Sequence, residues 1–230
     1  MHLELAAGTP AGWFQIASYA CFVTIFLRQS LQVRQRTRVN PIKLGGRRKG
    51  RQGLMEALLF AVVNVWGFLV VLHALPVVPA PWPWLFGPGL RMPAAAVALG
   101  AVVVLLSFAI FIVSLRQLNS SWRLGIDAEH PGRLVTTGIY AHSRNPIYAF
   151  FMLYFAGILL MNGSLVFLLL LVAAAPLLHR QALSEERFLA RVFGGEYGAY
   201  RQRVGRYLTL RLPTAGSREP AKRADQAGCS

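Results

Sequence analysis

Two polar stretches hold most of the residues in this chain that could do chemistry. The first runs from Arg133 to Tyr148 and gathers Tyr140, His142, Arg144, Asn145 and Tyr148 within nine residues. The second begins about forty residues later with Ser184-Glu185-Glu186 and continues to Phe193-Gly194-Gly195-Glu196-Tyr197. Aromatic faces suit a cation or a flat ring, and the carboxylates, amide and guanidinium supply hydrogen bonds and charge. The set suggests a small-molecule binding site, with the two stretches folded against each other at one membrane face. A metal set, a Ser/His/Asp arrangement and a phosphate-cradling glycine loop are all missing, and Gly45-Gly46-Arg47 lacks the strand and helix such a loop needs.

Position on a helix singles out Glu185. Leu178, Ala182, Glu185, Leu189 and Val192 recur at three- and four-residue spacing, so they share one face with the carboxylate in the middle of an apolar stripe. A carboxylate on a packed face is costly unless it is paired, which marks it as a candidate site residue. The plainer reading is a helix-favouring acid paired with arginine neighbours. Glu186, one step round, reads as a solvated or supporting group. Asn145 and Pro146 suit an N-cap and first turn, which is ordinary grammar for a helix start.

These stretches sit in a membrane-type chain. Of the 230 residues, 55% are hydrophobic and only 14% charged, whereas a soluble globule carries roughly a quarter charged residues. The net charge of +15 could suggest nucleic acid, but the charges cluster in segments between apolar runs, and no nucleic-acid partner is expected. Apolar runs at Trp13–Leu31, Leu54–Leu75 and Ala94–Leu115 are each long enough to cross about 30 Å of hydrocarbon. The segment Pro76–Pro93, with Trp82, Trp84 and Phe86, reads as an outer interfacial loop. Two shorter runs, Ile147–Met161 and Leu165–Leu178, flank Asn162-Gly163-Ser164. Fifteen helical residues reach only about 22 Å, so these runs are expected to form a tight hairpin extending beyond the bilayer. Its second leg should continue past Glu185 to Phe193, kinked at Pro176.

The expected architecture is therefore all-α, polytopic, with about five spans and a cytosol-side pocket built by the C-terminal part. Three units follow: spans over 1–115 with a basic loop, a core over 116–212, and a disordered tail over 213–230. Of 24 basic residues only Arg91 falls outside the proposed cytoplasmic side, which puts the N-terminus outside and the C-terminus in the cytoplasm. Arginine outnumbers lysine 21 to 3, which leans toward a bacterial inner membrane. Cys21 and Cys229 imply neither disulfide nor zinc site. Glu56, Asn64 and His73 read as single polar residues within spans, and Trp122 to Asp127 as an interfacial piece.

Leu134-Val135-Thr136-Thr137-Gly138-Ile139-Tyr140, Arg144-Asn145-Pro146-Ile147-Tyr148, Glu185-Glu186 and Phe193-Gly194-Gly195-Glu196-Tyr197 with Tyr200 form four ordered blocks. Together they resemble the isoprenylcysteine carboxyl methyltransferase family and its phospholipid methyltransferase relatives, over roughly Trp122 to Tyr207. The resemblance implies an integral-membrane methyltransferase that uses S-adenosylmethionine and a lipid or other lipophilic acceptor, a prenylcysteine-like carboxylate first and a phospholipid amine as the alternative. A non-enzymatic membrane scaffold is the competing class. Carried over by position, Gly132, Arg133, Leu134, Val135, Tyr140, Asn145, Pro146, Ile147, Tyr148 and Glu185 would line the cofactor. Glu185 and Arg144 would serve the reaction, with Arg144 meeting the methionyl carboxylate. The family often has histidine at the position of Asn145. An arginine that touches the substrate carboxylate in the eukaryotic enzymes is replaced here by Gln181, with Arg180 adjacent.

Overall fold

The computed structural model describes residues 8–38, 50–75, 92–118 and 133–209. Gly132, the segment 76–91, most of the basic loop, Trp122 to Asp127 and the tail lie outside the described residues. The described chain holds five α-helices and no strand: α1 (Pro10–Thr37), α2 (Arg51–Ala74), α3 (Ala94–Leu118), α4 (Pro146–Asn162) and α5 (Leu165–Arg203), with a 3-10 turn at Gly138–Ala141 before α4. Four of them, α1, α2, α3 and α5, are long and apolar enough to cross a membrane, while α4 is a shorter apolar helix. The all-α polytopic architecture is as the apolar runs imply.

Helix ends follow from local chemistry. Thr9 Oγ1 accepts from the Gly12 amide at 3.1 Å and Pro10 opens the first turn of α1. Gly163 closes α4 at φ 58°, a left-handed conformation that costs glycine little, and its amide donates to the Leu159 carbonyl at 2.8 Å. That turn brings α5 back alongside α4 as the expected hairpin.

Aromatic packing fills the centre of the bundle. Trp66 of α2 stacks on Phe155 of α4 with ring centroids 4.2 Å apart, and Phe111 of α3 stacks on Phe150 of α4 at 4.3 Å. Such pairs contribute about 1 kcal/mol each beyond their area. Helices α3 and α4 cross where Gly100 meets Gly157: a Cβ on Gly100 would sit 2.6 Å from the Gly157 carbonyl oxygen. Small residues permit this backbone approach in a bilayer, where tight packing replaces the hydrophobic effect. At the hairpin tip, the Asn162 and Gln15 side-chain amides exchange hydrogen bonds of 2.9 and 3.1 Å, tying α1 to the turn.

At 1.5 Å per residue, the 39-residue α5 is about 58 Å long, nearly twice a hydrocarbon core, so its C-terminal part projects past the apolar bundle. The backbone leaves helical geometry at Gly194 (φ 51°, ψ −122°) and not at Pro176, where the kink was expected. Beyond the break, Tyr197, Tyr200 and Val204 form a second small core with Leu134, Leu189 and Phe193 packed against it.

Candidate functional site at the end of the hairpin

The hairpin brings the two polar stretches together. Tyr148, in the first turn of α4, donates a 2.6 Å hydrogen bond to Glu185 of α5. Helix geometry alone would place their backbones about 12 Å apart in depth, with the Arg133–Asn145 segment filling the gap. Side-chain direction closes that distance, because helical side chains lean toward their own N-terminus and the two helices are antiparallel. Tyr148 therefore leans away from the apolar bundle and Glu185 leans toward it.

Around this bond lies a polar network. Gln181, one turn before Glu185, is only 3% exposed and lies beside both Tyr148 and Glu185. Gln52 of α2 donates to Gln181 at 3.2 Å and to Glu56 at 3.0 Å. Glu56, read from sequence as isolated, is thus a buried member of the site's wall. Gln52 is one turn before Glu56 on α2, but the link on to Gln181 crosses to another helix, which no local pattern reports. The stripe around Glu185 is apolar as read, with Leu178 and Ala182 buried, but it ends at Leu189 because Val192 faces outward.

Glu186 does not face solvent. It is 6% exposed and forms the hub of a second cluster on another face of α5. Arg206 binds it through two nitrogens, Nε at 2.9 Å and Nη2 at 3.2 Å. Arg144 Nη2 lies 3.4 Å from it, and Asn145 Nδ2 donates to it at 2.8 Å. Asn145 stands at the N-cap of α4 but makes no side-chain cap bond. Helix-start grammar placed the residue correctly and missed its task. Adjacent glutamates have separate surroundings because successive helical residues point about 100° apart.

A strap after α5 holds the first stretch in place. The Arg144 and Asn145 amides donate to the carbonyls of Gly205 and Arg206, each at 3.0 Å, and the Thr209 amide donates to His142 at 2.8 Å. Tyr200 donates to the Tyr140 carbonyl at 2.7 Å. Gly138 starts the 3-10 turn at φ 61°, where a Cβ would collide with Gln117 of α3, whose Oε1 accepts from the Ile139 amide at 2.9 Å. The Tyr140 phenol is pushed up by burial and then by Glu185 and Tyr200, so it stays neutral beside the carboxylate.

The remaining expected residues divide by position. Leu134 and Val135 are half-buried on the approach to the turn, Pro146 is buried, Ile147 packs on the core, and Arg133 is exposed. Arg180 is also exposed, away from the buried Gln181. A separate apolar cleft is lined by Tyr19, Phe22, Val63, Trp66, Phe151 and Tyr154, among others, in the aromatic part of the bundle. His73 packs edge-on against Phe167.

Residues 95–196 match the phospholipid methyltransferase family. The fold is similar to that of the eukaryotic intramembrane Ras methyltransferase, isoprenylcysteine carboxyl methyltransferase, with a TM-score of 0.50 and 20% identity over 90% of this chain and 71% of that one. No curated protein matches by sequence at a significant level. The matched segment runs from α3 through Glu196 and so contains Tyr148, Gln181, Glu185 and Glu186, while Gln52, Glu56, Tyr197 and Arg206 lie outside it. The family match thus covers the C-terminal helices that carry the site, and the fold as a whole is similar to that of a polytopic membrane methyltransferase.

Proposed function

We propose that the chain moves a methyl group from S-adenosylmethionine to a lipophilic acceptor at the membrane face. The observation that carries this reading is the 2.6 Å bond between Tyr148 and Glu185 at the mouth of the hairpin, within the family-matched segment. The residues fit the cofactor. Among the described residues Glu185 has no ion pair, whereas both Arg144 and Arg206 go to Glu186, so the Glu185 carboxylate is free to accept from hydroxyl or amino groups. Tyr140 and Tyr148 offer aromatic faces suited to a cation or an adenine. Leu134, Val135, Pro146 and Ile147 supply apolar wall, whereas Asn145 is engaged with Glu186 through its side chain and with Arg206 through its backbone amide.

S-adenosylmethionine, when bound, supplies an electrophilic methyl group on a sulfonium. The chain's share is positioning and exclusion of water, which suffice for much of the acceleration of an in-line displacement. Glu185 fixes the donor's orientation, and Tyr148 and Gln181 hold Glu185 in one rotamer. The lipophilic acceptor enters sideways between helices, with its tail in the apolar bundle.

A specific pairing favours an amine over the prenylcysteine-like carboxylate as acceptor. Gln181 stands where an arginine would meet a carboxylate, and Glu56 faces the same network from α2 through Gln52. Two carboxylates repel a third and attract a cation. In the same reading the N-terminus lies outside and the C-terminus in the cytoplasm of a bacterial inner membrane, which a C-terminal reporter fusion checks. The enzymatic test incubates detergent-purified protein with methyl-labelled donor and membrane lipid extract. An amine acceptor gives a label that survives mild base, and a carboxylate gives one that is lost. No transfer to any lipid fraction contradicts the reading.

A further inference from the structure

Glu56 is a buried anion with no cation to balance it. It is 5% exposed, and among the described residues it has no ion pair. Its one hydrogen bond there comes from a neutral amide, Gln52 Nε2 to Oε1 at 3.0 Å, so no donor from those residues reaches Oε2. A carboxylate inside a membrane bundle is costly without a partner, and such residues mark places where a cation or a proton is handled.

Packing aims the carboxylate at the site. Gln52 Nε2 also donates to Gln181 at 3.2 Å, which ties Glu56 of α2 to α5 through a single amide. The titratable groups that face Glu56 are Tyr148 of α4 and Glu185 of α5, and its charge acts on both. Neither brings a positive charge, and two carboxylates sharing one low-dielectric space attract a cation. Depth says which kind. Along α2, Glu56 lies about 27 Å from the far end of the helix at Ala74, close to one hydrocarbon thickness. That is headgroup level, where the amine of a phospholipid sits while its tails stay in the bilayer.

We propose that Glu56 is a catalytic residue for the acceptor: its carboxylate holds the ammonium of a lipid amine and takes one proton from it. This rests on the methyltransferase reading and deepens it. An ammonium has no lone pair to attack with, so its methylation needs a base, whereas a carboxylate acceptor is already deprotonated at pH 7. One N–H bond of the ammonium breaks, its proton forms an O–H bond on Glu56, and the electron pair stays on nitrogen. That lone pair forms the N–C bond as the donor's S–C bond breaks toward sulfur, leaving a methylammonium and S-adenosylhomocysteine. Glu56 gives its proton to water as the product leaves. The two glutamates of the network divide the ligands between them: Glu185 orients the donor and Glu56 receives the acceptor. Glu56 precedes residues 95–196, so the family match does not bear on it.

The experiment compares wild type, Glu56→Gln and Glu56→Asp in detergent. Gln keeps the shape of Glu56 and an oxygen for Gln52, so melting should stay near wild type. Calorimetry uses three probes: S-adenosylhomocysteine, dihexanoylphosphatidylethanolamine, and dihexanoylphosphatidylglycerol, which lacks the amine. Glu56→Gln should bind the ethanolamine lipid about tenfold or more weakly and the other two as wild type does. Its transfer of labelled methyl to the ethanolamine lipid should fall about a hundredfold or more at pH 7, then recover about tenfold per pH unit as free amine appears. Glu56→Asp should keep a measurable rate with the pH profile of wild type. A purely structural role predicts a loss that is the same at every pH and for every probe. That result overturns the proposal, as does a wild-type rate in Glu56→Gln or transfer by wild type to no amine-bearing lipid. Failure of folded wild type to bind S-adenosylhomocysteine is a different result and contradicts the methyltransferase reading instead.

Discussion

Tyr148 and Glu185 are 37 residues apart in sequence and 2.6 Å apart in space, joined by a hydrogen bond from phenol to carboxylate. The hairpin turn at Gly163 makes them neighbours, and the opposed lean of side chains on antiparallel helices completes the contact. Tyr148→Phe keeps the ring and removes the bond. Hydrogen bonds to charged groups contribute about 1.5–3 kcal/mol, so S-adenosylhomocysteine should bind roughly tenfold or more weakly while the melting temperature changes little. Calorimetric titration of the variant checks both the direction and the size.

Glu185 and Glu186 should respond in opposite ways to neutralisation. Glu186→Gln leaves Arg144 buried against an amide and should cost about 3 kcal/mol or more of stability, seen as a lower melting temperature or poor recovery from membranes. Glu185→Gln breaks no ion pair among the described residues and should leave melting near wild type while weakening ligand binding. Equal destabilisation by the two variants contradicts the division of roles.

The crossing of α3 and α4 should tolerate almost no added volume at Gly100. A Cβ there meets backbone, the Gly157 carbonyl at 2.6 Å, and the clash cannot be relieved by a rotamer change. Gly100→Val should cost about 1–3 kcal/mol or more and lower the melting temperature, whereas Gly195→Ala, with nothing within 4 Å, should not clash.

Gly194 is required for a different reason. Nothing lies within 4 Å of a Cβ placed there, but φ 51° with ψ −122° is a conformation that other residues avoid. Gly194→Ala should favour a straight α5 and pull Tyr197 and Tyr200 away from the turn, at a cost of about 1–3 kcal/mol. Limited proteolysis should then cut the strap between Gly205 and Thr209 faster than in wild type.

Gln181→Arg should move acceptor preference toward carboxylates, because it places a cation beside Glu56 and Glu185. Product analysis with labelled donor reads this as a larger base-labile fraction.

The helices and the hairpin were legible because apolar runs and a glycine turn are local signals. Glu185 was legible because a charge inside an apolar stripe breaks a periodic pattern. Other parts of the site were not. Glu56 becomes part of it only through Gln52 and a partner on another helix. Asn145 reads as a cap by type and position, yet a carboxylate 41 residues away takes its side chain. The strap carries no sequence period at all, since its bonds to His142, Arg144 and Asn145 use backbone atoms that every residue has. The backbone break lies at Gly194, whose φ and ψ other residues avoid, a requirement that carries no periodic signal in the sequence.

The central claim is that Glu185 and Tyr148 form a donor pocket, and its most direct test is calorimetric titration of S-adenosylhomocysteine into detergent-purified wild type, Glu185→Ala and Tyr148→Ala. The account predicts saturable binding to wild type with unit stoichiometry, weakened in both variants while each remains folded by its melting curve. Folded wild type that binds nothing, or variants that bind as tightly as wild type, would contradict it.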